Sequence, residues 1–275
     1  MATLCNVRST RRTKRHTVGI TTKSSEQSRG RVRIERAAKR VRAYLGGVLV
    51  ADTLGPLMVW EVPYYPTYYI PAADVRSELL EPDDGAGVHS PSRGEGRTFT
   101  IKAGDREVVG AALRYEDSPL EELRDAIRLE WDAMDAWFEE DEQVFTHPRD
   151  PYTRVDILPS SRHVRVEVDG VTVAESAKPT LLFETGLPTR YYLPKTHLRM
   201  DLLTPSDSVS HCPYKGQAEW WSVRSGDEIH EDLAWSYRTP LPESQKVAGL
   251  VAFYNEKVDI YVDGVLQERP VTKFS

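Results

Sequence analysis

The segment Cys212-Pro-Tyr-Lys-Gly216 is the part of this 275-residue chain best suited to chemistry. Lys215 carries a compact positive charge that suits a phosphate or carboxylate group, and Gly216 lets a backbone approach a ligand closely. A nearby lysine raises the thiolate fraction of a cysteine, so Cys212 is a candidate nucleophile. These residue types predict a loop that binds a small molecule, with thiol catalysis as an alternative.

Aromatic and basic side chains accompany this loop in the sequence. A concave surface lined by aromatic rings with one or two cations suits a small anionic or planar ligand. A purely structural interpretation stays open, because Arg199 and Asp201 have the spacing of a surface ion pair, and Trp235 and Tyr237 share one strand face as core aromatics do. The predicted ligand-binding residues are Tyr192, Arg199, Cys212, Lys215, Trp221, Trp235 and Tyr237. Trp220 lies in the same run of motifs and could belong to the same surface.

Other chemistries have weaker signals. His211 adjoins Cys212, but neighbours on a strand point to opposite faces, so His211 is poorly placed as its general base. A metal site would need folding to bring His197, His211, Cys212 and His230 together, and no ligand spacing recommends it. Two-metal phosphoryl transfer is usually announced by an Asp-x-Asp pair, and the sequence contains neither that pair nor a glycine-rich phosphate loop. No metal or cofactor is therefore expected.

The chain contains one domain twice. Residues 40–51 align with residues 163–174, and the offset of 123 continues to Pro82 and Pro205, after which one residue is dropped. We expect a first repeat over 31–150 and a second over 151–275, joined by the proline-rich segment 147–152. The matched positions assign to the first repeat the counterpart site residues Tyr69, Arg76, Arg93 and Tyr115.

Alternating apolar and polar residues predict β-strands. Valines alternate with charged residues over 164–168, which gives one apolar face and one polar face. The pairs Gly46-Gly47, Asp169-Gly170 and Asp263-Gly264 supply the positive φ of tight hairpin turns.

A helix start is also present. Ser118-Pro-Leu-Glu121 combines a capping hydroxyl, a first-turn proline and a glutamate three residues on, which predicts a short helix as far as about Arg128. The acidic run 139–142 is predicted to be a solvated hairpin edge. The expected fold class is mostly β, a tandem duplication in which each copy has two small antiparallel sheets and a short helix.

The order of several motifs resembles a known family. It is carried by Tyr-Tyr-Leu-Pro (191–194), Cys-Pro-Tyr-Lys-Gly (212–216), Asp-Leu-Ala-Trp-Ser-Tyr (232–237) and Gly-Leu-Val-Ala-Phe-Tyr-Asn-Glu-Lys-Val (249–258). Over about residues 31–275 the chain is similar to domain-of-unknown-function family 427 in its tandem bacterial form. The resemblance implies a β-tent type of fold, a nucleotidyltransferase-like label and no settled activity. The first copy has Ser90 and Arg93 where the pattern has cysteine and lysine, so it lacks the thiol.

Composition and charge limit the remaining possibilities. Hydrophobic residues make up 40% of the chain, yet no run approaches the ~18 apolar residues of a membrane span, so no membrane association is expected. Residues 1–42 carry 13 Lys and Arg against two Glu, and the remainder carries 23 basic and 40 acidic residues. Residues 1–30 are expected to be a disordered basic arm, or the product of a start codon assigned too early. The arm also faintly resembles a transit peptide, and nucleic-acid contact is expected only through it.

We expect a monomer in the cytoplasm. Duplication already supplies a pseudo-symmetric pair, and the two cysteines, Cys5 and Cys212, suit a reducing compartment because one lies in the polar arm and the other deep in the chain. The leading functional hypothesis is a module that binds a small anionic or planar molecule, better formed in the second copy. The alternatives are a nucleotidyltransferase-like or other small-molecule enzyme, and a protein-interaction scaffold.

Overall fold

The computed structural model describes residues 32–85 and 87–272, so the predicted basic arm at 1–30 lies outside the described residues. Two compact units divide the chain between Asp150 and Pro151. Between β-strands that end at Val144 and begin at Val155, the proline-rich segment has no regular secondary structure. The described part of the chain contains no helix with the length and apolar character that a membrane crossing needs.

The first unit is built from twelve described strands. They are Arg33–Arg36 (β1), Val41–Leu45 (β2), Val48–Thr53 (β3), Leu57–Val62 (β4), Tyr65–Pro71 (β5), Leu80–Pro82 (β6), Val88–Ser90 (β7), Gly94–Ala103 (β8), Arg106–Arg114 (β9), Ala126–Leu129 (β10), Ala136–Glu139 (β11) and Glu142–Val144 (β12). One antiparallel sheet has the order β1-β4-β5-β10-β9-β8-β6, with β7 also paired to β8, and a second has the order β12-β11-β2-β3. The larger sheet exceeds the small sheets expected, because β10 pairs with both β5 and β9 and so joins them.

The second unit repeats this pattern with eleven described strands. They are Val155–Pro159 (β13), Val164–Val168 (β14), Val171–Ser176 (β15), Thr180–Glu184 (β16), Arg190–Tyr192 (β17), Leu203–Cys212 (β18), Gly216–Ser225 (β19), Glu228–Ser236 (β20), Val251–Phe253 (β21), Asp259–Val262 (β22) and Val265–Leu266 (β23). Three small antiparallel sheets result, with orders β13-β16-β17, β15-β14-β22-β23 and β18-β19-β20-β21. Leu193 and Val251 exchange two backbone hydrogen bonds of 2.8 and 2.9 Å, which form an isolated β-bridge. In the first unit the corresponding contact is the pairing of β10 with β5.

The predicted duplication is confirmed strand by strand. The β2–β3 hairpin corresponds to β14–β15, β4–β5 to β16–β17, and β8–β9 to β19–β20, each at the offset found in the sequence. The predicted turns also hold, with φ of 58° and 73° at Gly46 and Gly47, 48° and 77° at Asp169 and Gly170, and 52° and 83° at Asp263 and Gly264.

The predicted short helix is present but ends early. It is a 3-10 turn over Glu121–Leu123, and the residues that follow form β10 instead of continuing it to Arg128. Ile127 is held between Ile70 of β5 and Arg114 of β9, so pairing in the sheet overrides the local helical preference. The other 3-10 segments of the described chain are Ala72–Asp74, Ser77–Leu79, Trp131–Ala133, Lys195–His197, Met200–Leu202 and Pro242–Val247.

The acidic run at 139–142 is only partly solvated, which corrects the sequence-based expectation. Glu139 is 5% exposed, accepts hydrogen bonds from Tyr68 and the backbone of Arg149, and forms an ion pair with Lys39 at 2.7 Å. It lies on the inward face of β11, whereas Glu140 and Asp141 form the exposed turn. Strand alternation, and not the run of like charges, decides which carboxylate is buried.

Each unit has its own hydrophobic core. In the second unit one core cluster contains Val166, Trp221 and Phe253, and another contains Tyr192, Trp220 and Trp235. The two clusters lie on opposite faces of β19, because adjacent residues of a strand point in opposite directions. The second of these clusters surrounds the candidate site.

Candidate functional site

A cavity of about 40 Å³ lies inside the second unit. Strands β16, β17, β19 and β20 supply most of its wall, and the β18–β19 hairpin closes one side. Leu187 and Tyr254 are the half-buried members of the wall, so they mark the side on which the cavity reaches solvent. The lining residues are Leu182, Glu184, Leu187, Arg190, Tyr192, Lys215, Trp220, Trp235, Tyr237 and Tyr254.

Lys215 and Glu184 form a buried ion pair in this wall. Cys212 pairs with Gly216 at the end of the β18–β19 hairpin, and the turn between them carries Lys215 inward. Lys215 Nζ donates to Glu184 Oε2 at 2.6 Å, and the two side chains are 8% and 1% exposed. The other carboxylate oxygen, Glu184 Oε1, is buried and has no hydrogen-bond partner among the described residues.

The ammonium group of Lys215 stays charged in this position. Burial by itself lowers the pKa of a lysine, but the interactions with Cys212 and Glu184 outweigh it, and the pKa of Lys215 is raised above its ordinary value. The pair is therefore a cation beside a carboxylate in a water-poor environment, where electrostatic interactions are strong.

A second buried ion pair stands beside the first. Arg190 donates to both carboxylate oxygens of Glu256, at 2.6 and 2.7 Å, and also to Asn255 at 3.2 Å. Burial works to raise the pKa of Glu256, but the hydrogen bond and charge of Arg190 outweigh it, so the pKa is lowered. The guanidinium carbon lies 5.6 Å from the ring centroid of Trp235, within the range of a cation–π interaction.

Aromatic rings form the rest of the wall. Trp220 of β19 and Trp235 of β20 are directly opposite in the sheet, with ring centroids 5.5 Å apart. Tyr254 lies 5.5 Å from Trp220 and 5.0 Å from Trp235. The indole N–H of Trp235 donates to the hydroxyl of Tyr192 at 3.1 Å, and that of Trp220 to Ser210 at 2.9 Å, so both indoles are held in place.

The structure brings together part of the predicted set. Tyr192, Lys215, Trp235 and Tyr237 line the cavity together with Trp220. Cys212 is 2% exposed and packs in the core cluster beside the cavity without lining it.

Two predicted residues of the second repeat lie elsewhere. Trp221 follows Trp220 on β19 and therefore faces the other core, where Lys195 Nζ lies 4.8 Å from its ring centroid. Arg199 is exposed and paired with Asp201 at 2.6 Å, which is the surface ion pair considered from the sequence. Its counterpart Arg76 is paired with Glu78 at 2.7 Å in the same way.

Sequence reasoning missed the charged and aromatic site residues Glu184, Arg190, Tyr254 and Glu256, and the apolar wall residues Leu182 and Leu187. One signal was present, since Glu184 ends the apolar segment Thr-Leu-Leu-Phe-Glu and matches Glu61 in the repeat. A carboxylate in both copies of an apolar strand indicates a buried group that needs a partner. Arg190 and Glu256 are 66 residues apart, and no local pattern pairs them.

The first unit carries a related but different cluster at the equivalent place. Glu61 accepts a hydrogen bond from Tyr69 at 2.5 Å, and Arg93 lies 3.5 Å from the same oxygen, with its guanidinium carbon 5.5 Å from the ring centroid of Tyr115. Burial, followed by the charge of Glu61, raises the pKa of Tyr69 well above its ordinary value. Arg128 also approaches Glu61, at 3.8 Å. The predicted counterparts Tyr69, Arg93 and Tyr115 are thus brought together.

The two facing indoles have no counterparts at the equivalent place in the first unit. Thr98 and Leu113 are paired across β8 and β9 at the positions that Trp220 and Trp235 occupy in β19 and β20. A more polar cavity of about 310 Å³ opens here, lined in part by Glu61, Arg128, Glu130, Trp131 and His147. Burial raises the pKa of Glu130, which lies 3.0 Å from Arg128.

One group of potential metal ligands occurs within the described residues. Asp169, Glu228 and His230 have ligand atoms within 4.8 Å of one another. The two acids are exposed, and a hydrogen bond of 2.7 Å between His230 and Asp169 accounts for the contact. Of the histidine and cysteine set considered from the sequence, only His230 belongs to this group, and His197 instead contacts Ser176 at 2.7 Å.

Comparison with known proteins agrees with the duplication. A family model described as "Domain of unknown function (DUF427)" matches the chain twice, over residues 33–140 and 156–264. No curated protein matches the chain. The two matches cover most of the sequence and confirm the resemblance seen in its motifs. The chain therefore belongs to the DUF427 family, as a tandem member with two copies of the domain.

Proposed function

We propose that this protein binds a small molecule through the cavity of its second unit. The observation that carries the proposal is Glu184 Oε1, a buried acceptor without a hydrogen-bond partner among the described residues, in the wall of an aromatic cavity. Leaving such a group unsatisfied costs roughly 1–3 kcal/mol, and a charged one more. A ligand that donates to this oxygen removes the cost when it binds.

The aromatic wall supports the same proposal. Trp220, Trp235 and Tyr254 line this small space, and both indoles are fixed by their own hydrogen bonds. A rigid wall loses little conformational entropy when a planar group enters. Ligand binding is therefore favoured by preorganisation as well as by contact area.

The geometry favours binding over the alternatives. Two-metal phosphoryl transfer needs carboxylates that converge on cations, whereas Glu184 and Glu256 are each already paired with a basic side chain. A scaffold that docks on tryptophan-rich faces would need exposed rings, but Trp220, Trp221 and Trp235 are each less than 10% exposed. Cys212 is buried outside the cavity wall, which does not suit an attacking thiol.

Thermal unfolding against a metabolite panel tests the proposal. A ligand at about 100 times its Kd should stabilise the protein by about 2.7 kcal/mol. The response should disappear in Trp235→Leu, which copies the residue of the first unit, Leu113, at this position. It should persist in Arg199→Ala, a matched control in an exposed ion pair of the same unit. A panel without any response, or a response that survives Trp235→Leu unchanged, would contradict the proposal.

We further propose that the protein works as a monomer in the cytoplasm. Support comes from the duplication, which already places two copies in one chain, and from the cysteine usage, with Cys5 in the polar N-terminal segment of the sequence and Cys212 buried in a core. Sedimentation equilibrium should give the mass of one chain, 31.2 kDa. A mass of twice that value would overturn the monomer.

A further inference from the structure

We propose that the group bound in the second-unit cavity is neutral, and that it is the N–H and C=O edge of a carboxamide or lactam. The inference rests on the proposed binding function and names its ligand class. Glu184 would accept the ligand N–H, and Lys215 would donate to the ligand carbonyl. Hydrogen-bonding pattern, charge and shape support this assignment independently.

The hydrogen-bonding pattern comes from the buried pair itself. An ionised carboxylate only accepts, and an ammonium group only donates, with three N–H groups. Glu184 lines the cavity and its Oε2 is used by Lys215, so Oε1 is the buried acceptor left without a partner among the described residues. Because Nζ lies 2.6 Å from the same carboxylate, donor and acceptor stand side by side. An amide presents the complementary pair, with N–H and C=O flanking one carbon.

The charges around the cavity cancel. Lys215 is balanced by Glu184, and Arg190 is balanced by Glu256, all with side chains no more than 8% exposed. An entering anion would meet a carboxylate, and an entering cation would meet an ammonium and a guanidinium group. Either ion would lose its hydration, and every opposite charge that it met would already be neutralised by an ion-pair partner. Burying an ion on those terms costs much free energy. A neutral ligand avoids that cost.

The shape of the cavity fits a flat group of a few atoms. A volume of about 40 Å³ corresponds to roughly three water molecules, and the amide unit has three heavy atoms. Trp220, Trp235 and Tyr254 supply the aromatic part of the wall around it. Leu187 and Tyr254 leave the solvent side open for the rest of the ligand, so the amide is the inserted end of a larger molecule.

An isosteric set of probes tests the head group. Benzamide, benzoate and benzamidinium share a ring and a planar head group, and differ in net charge and in hydrogen-bonding pattern. The full-length protein is titrated with each, and binding is followed by thermal unfolding and by the indole N–H resonances of its tryptophans. We expect benzamide to raise the unfolding temperature and to shift the Trp235 resonance, with the two charged probes binding about tenfold more weakly or worse.

Glu184→Gln tests the origin of the preference. The substitution preserves the shape of the side chain but leaves the charge of Lys215 unbalanced, so benzoate should overtake benzamide. The comparison on the wild-type protein needs no variant, so a Glu184→Gln protein that fails to fold still leaves the charge preference decided.

The outcomes separate this inference from the proposed function. Tighter wild-type binding of benzoate or benzamidinium, lost in Trp235→Leu, would overturn the neutral ligand while supporting the pocket. An unchanged probe order in a folded Glu184→Gln would overturn the role of the carboxylate. If none of the three probes binds, the amide assignment is rejected, and the metabolite panel decides on the pocket by itself.

Discussion

Both copies have a buried carboxylate on an apolar strand, and a different basic residue lies beside it in each copy. In the second unit Lys215 contacts Glu184 at 2.6 Å and one carboxylate oxygen is left over. In the first unit Tyr69 donates to Glu61, and the larger guanidinium of Arg93 lies at 3.5 Å. A point charge and a forked donor are not interchangeable, so the substitution changes what each site offers to a ligand.

Breaking the second-unit pair from one side should destabilise the protein strongly. Lys215→Met leaves the charge of Glu184 buried and unbalanced, and we expect a loss of about 3–5 kcal/mol in the free energy of unfolding. The double variant Lys215→Met with Glu184→Leu removes both charges and should recover most of that loss. Urea denaturation of the single and double variants measures the coupling. Additive losses would refute it.

The pH range of this coupling follows from the pKa of Lys215. Its folded pKa is raised above the ordinary 10.5, so its stabilising contribution is complete below that value and is lost as the pH rises through the folded pKa. The coupling should therefore stay constant from about pH 7 to about pH 9. The exposed pair Arg199 and Asp201 serves as the control, and its removal should change stability little. A coupling that fades across this range would contradict the assigned direction.

At the scale of elements, β-hairpins position the residues of the candidate site. The β18–β19 hairpin presents Lys215, and Gly216 follows it with a φ of 91°, a conformation that favours glycine. Cross-strand pairing of β19 with β20 then places Trp220 opposite Trp235. In the first unit the β2–β3 hairpin has two adjacent glycines, Gly46 and Gly47, with unequal surroundings.

These two glycines should respond differently to the same substitution. Both have positive φ, so alanine costs about 1 kcal/mol at either position. At Gly46 an added Cβ would also lie 2.4 Å from the carbonyl oxygen of Ala103, whereas at Gly47 it would meet nothing within 4 Å. Gly46→Ala should therefore cost at least about twice as much as Gly47→Ala in chemical denaturation. Equal losses would show that the contact with Ala103 yields easily.

At the scale of the whole molecule, each unit has a core of its own. The clusters around Ala43 and Ile101 and around Val59 and Leu113 belong to the first unit, and those described for the second unit lie within it. A domain with its own core is able to fold alone. We therefore expect each copy to be stable by itself, with the facing indoles Trp220 and Trp235 present in the second copy alone among the described residues.

Separate expression of the halves tests this organisation. Residues 151–275 should unfold cooperatively in urea and should keep the thermal response to whichever ligand the full chain binds. Residues 31–150 should also unfold cooperatively, but without that response, because Thr98 and Leu113 replace the two indoles. Circular dichroism and thermal unfolding provide the measurements. A second half without a cooperative transition would show that the units depend on each other.

Most of the architecture was predictable from the sequence. The offset between the copies, the alternating valines of 164–168 and the Asp-Gly and Gly-Gly turns depend on neighbours in the chain, and the strands and φ angles followed them. Local reasoning extended the helix too far, to Arg128, because the partners of β10 come from β5 and β9, distant in sequence. The order of the motifs identified the family, since that order is a property of the sequence itself.

Only the tertiary structure decided which of the predicted residues share a site. Trp220 faces the cavity and Trp221 does not, which depends on which side of β19 each core packs. Folding also removes water from Glu184, Arg190 and Glu256 and leaves one carboxylate oxygen of Glu184 without a donor among the described residues. A sequence gives the type of each side chain, but tertiary packing decides its solvation. Packing also decides its ion-pair partner, which here lies 31 or 66 residues away in the sequence.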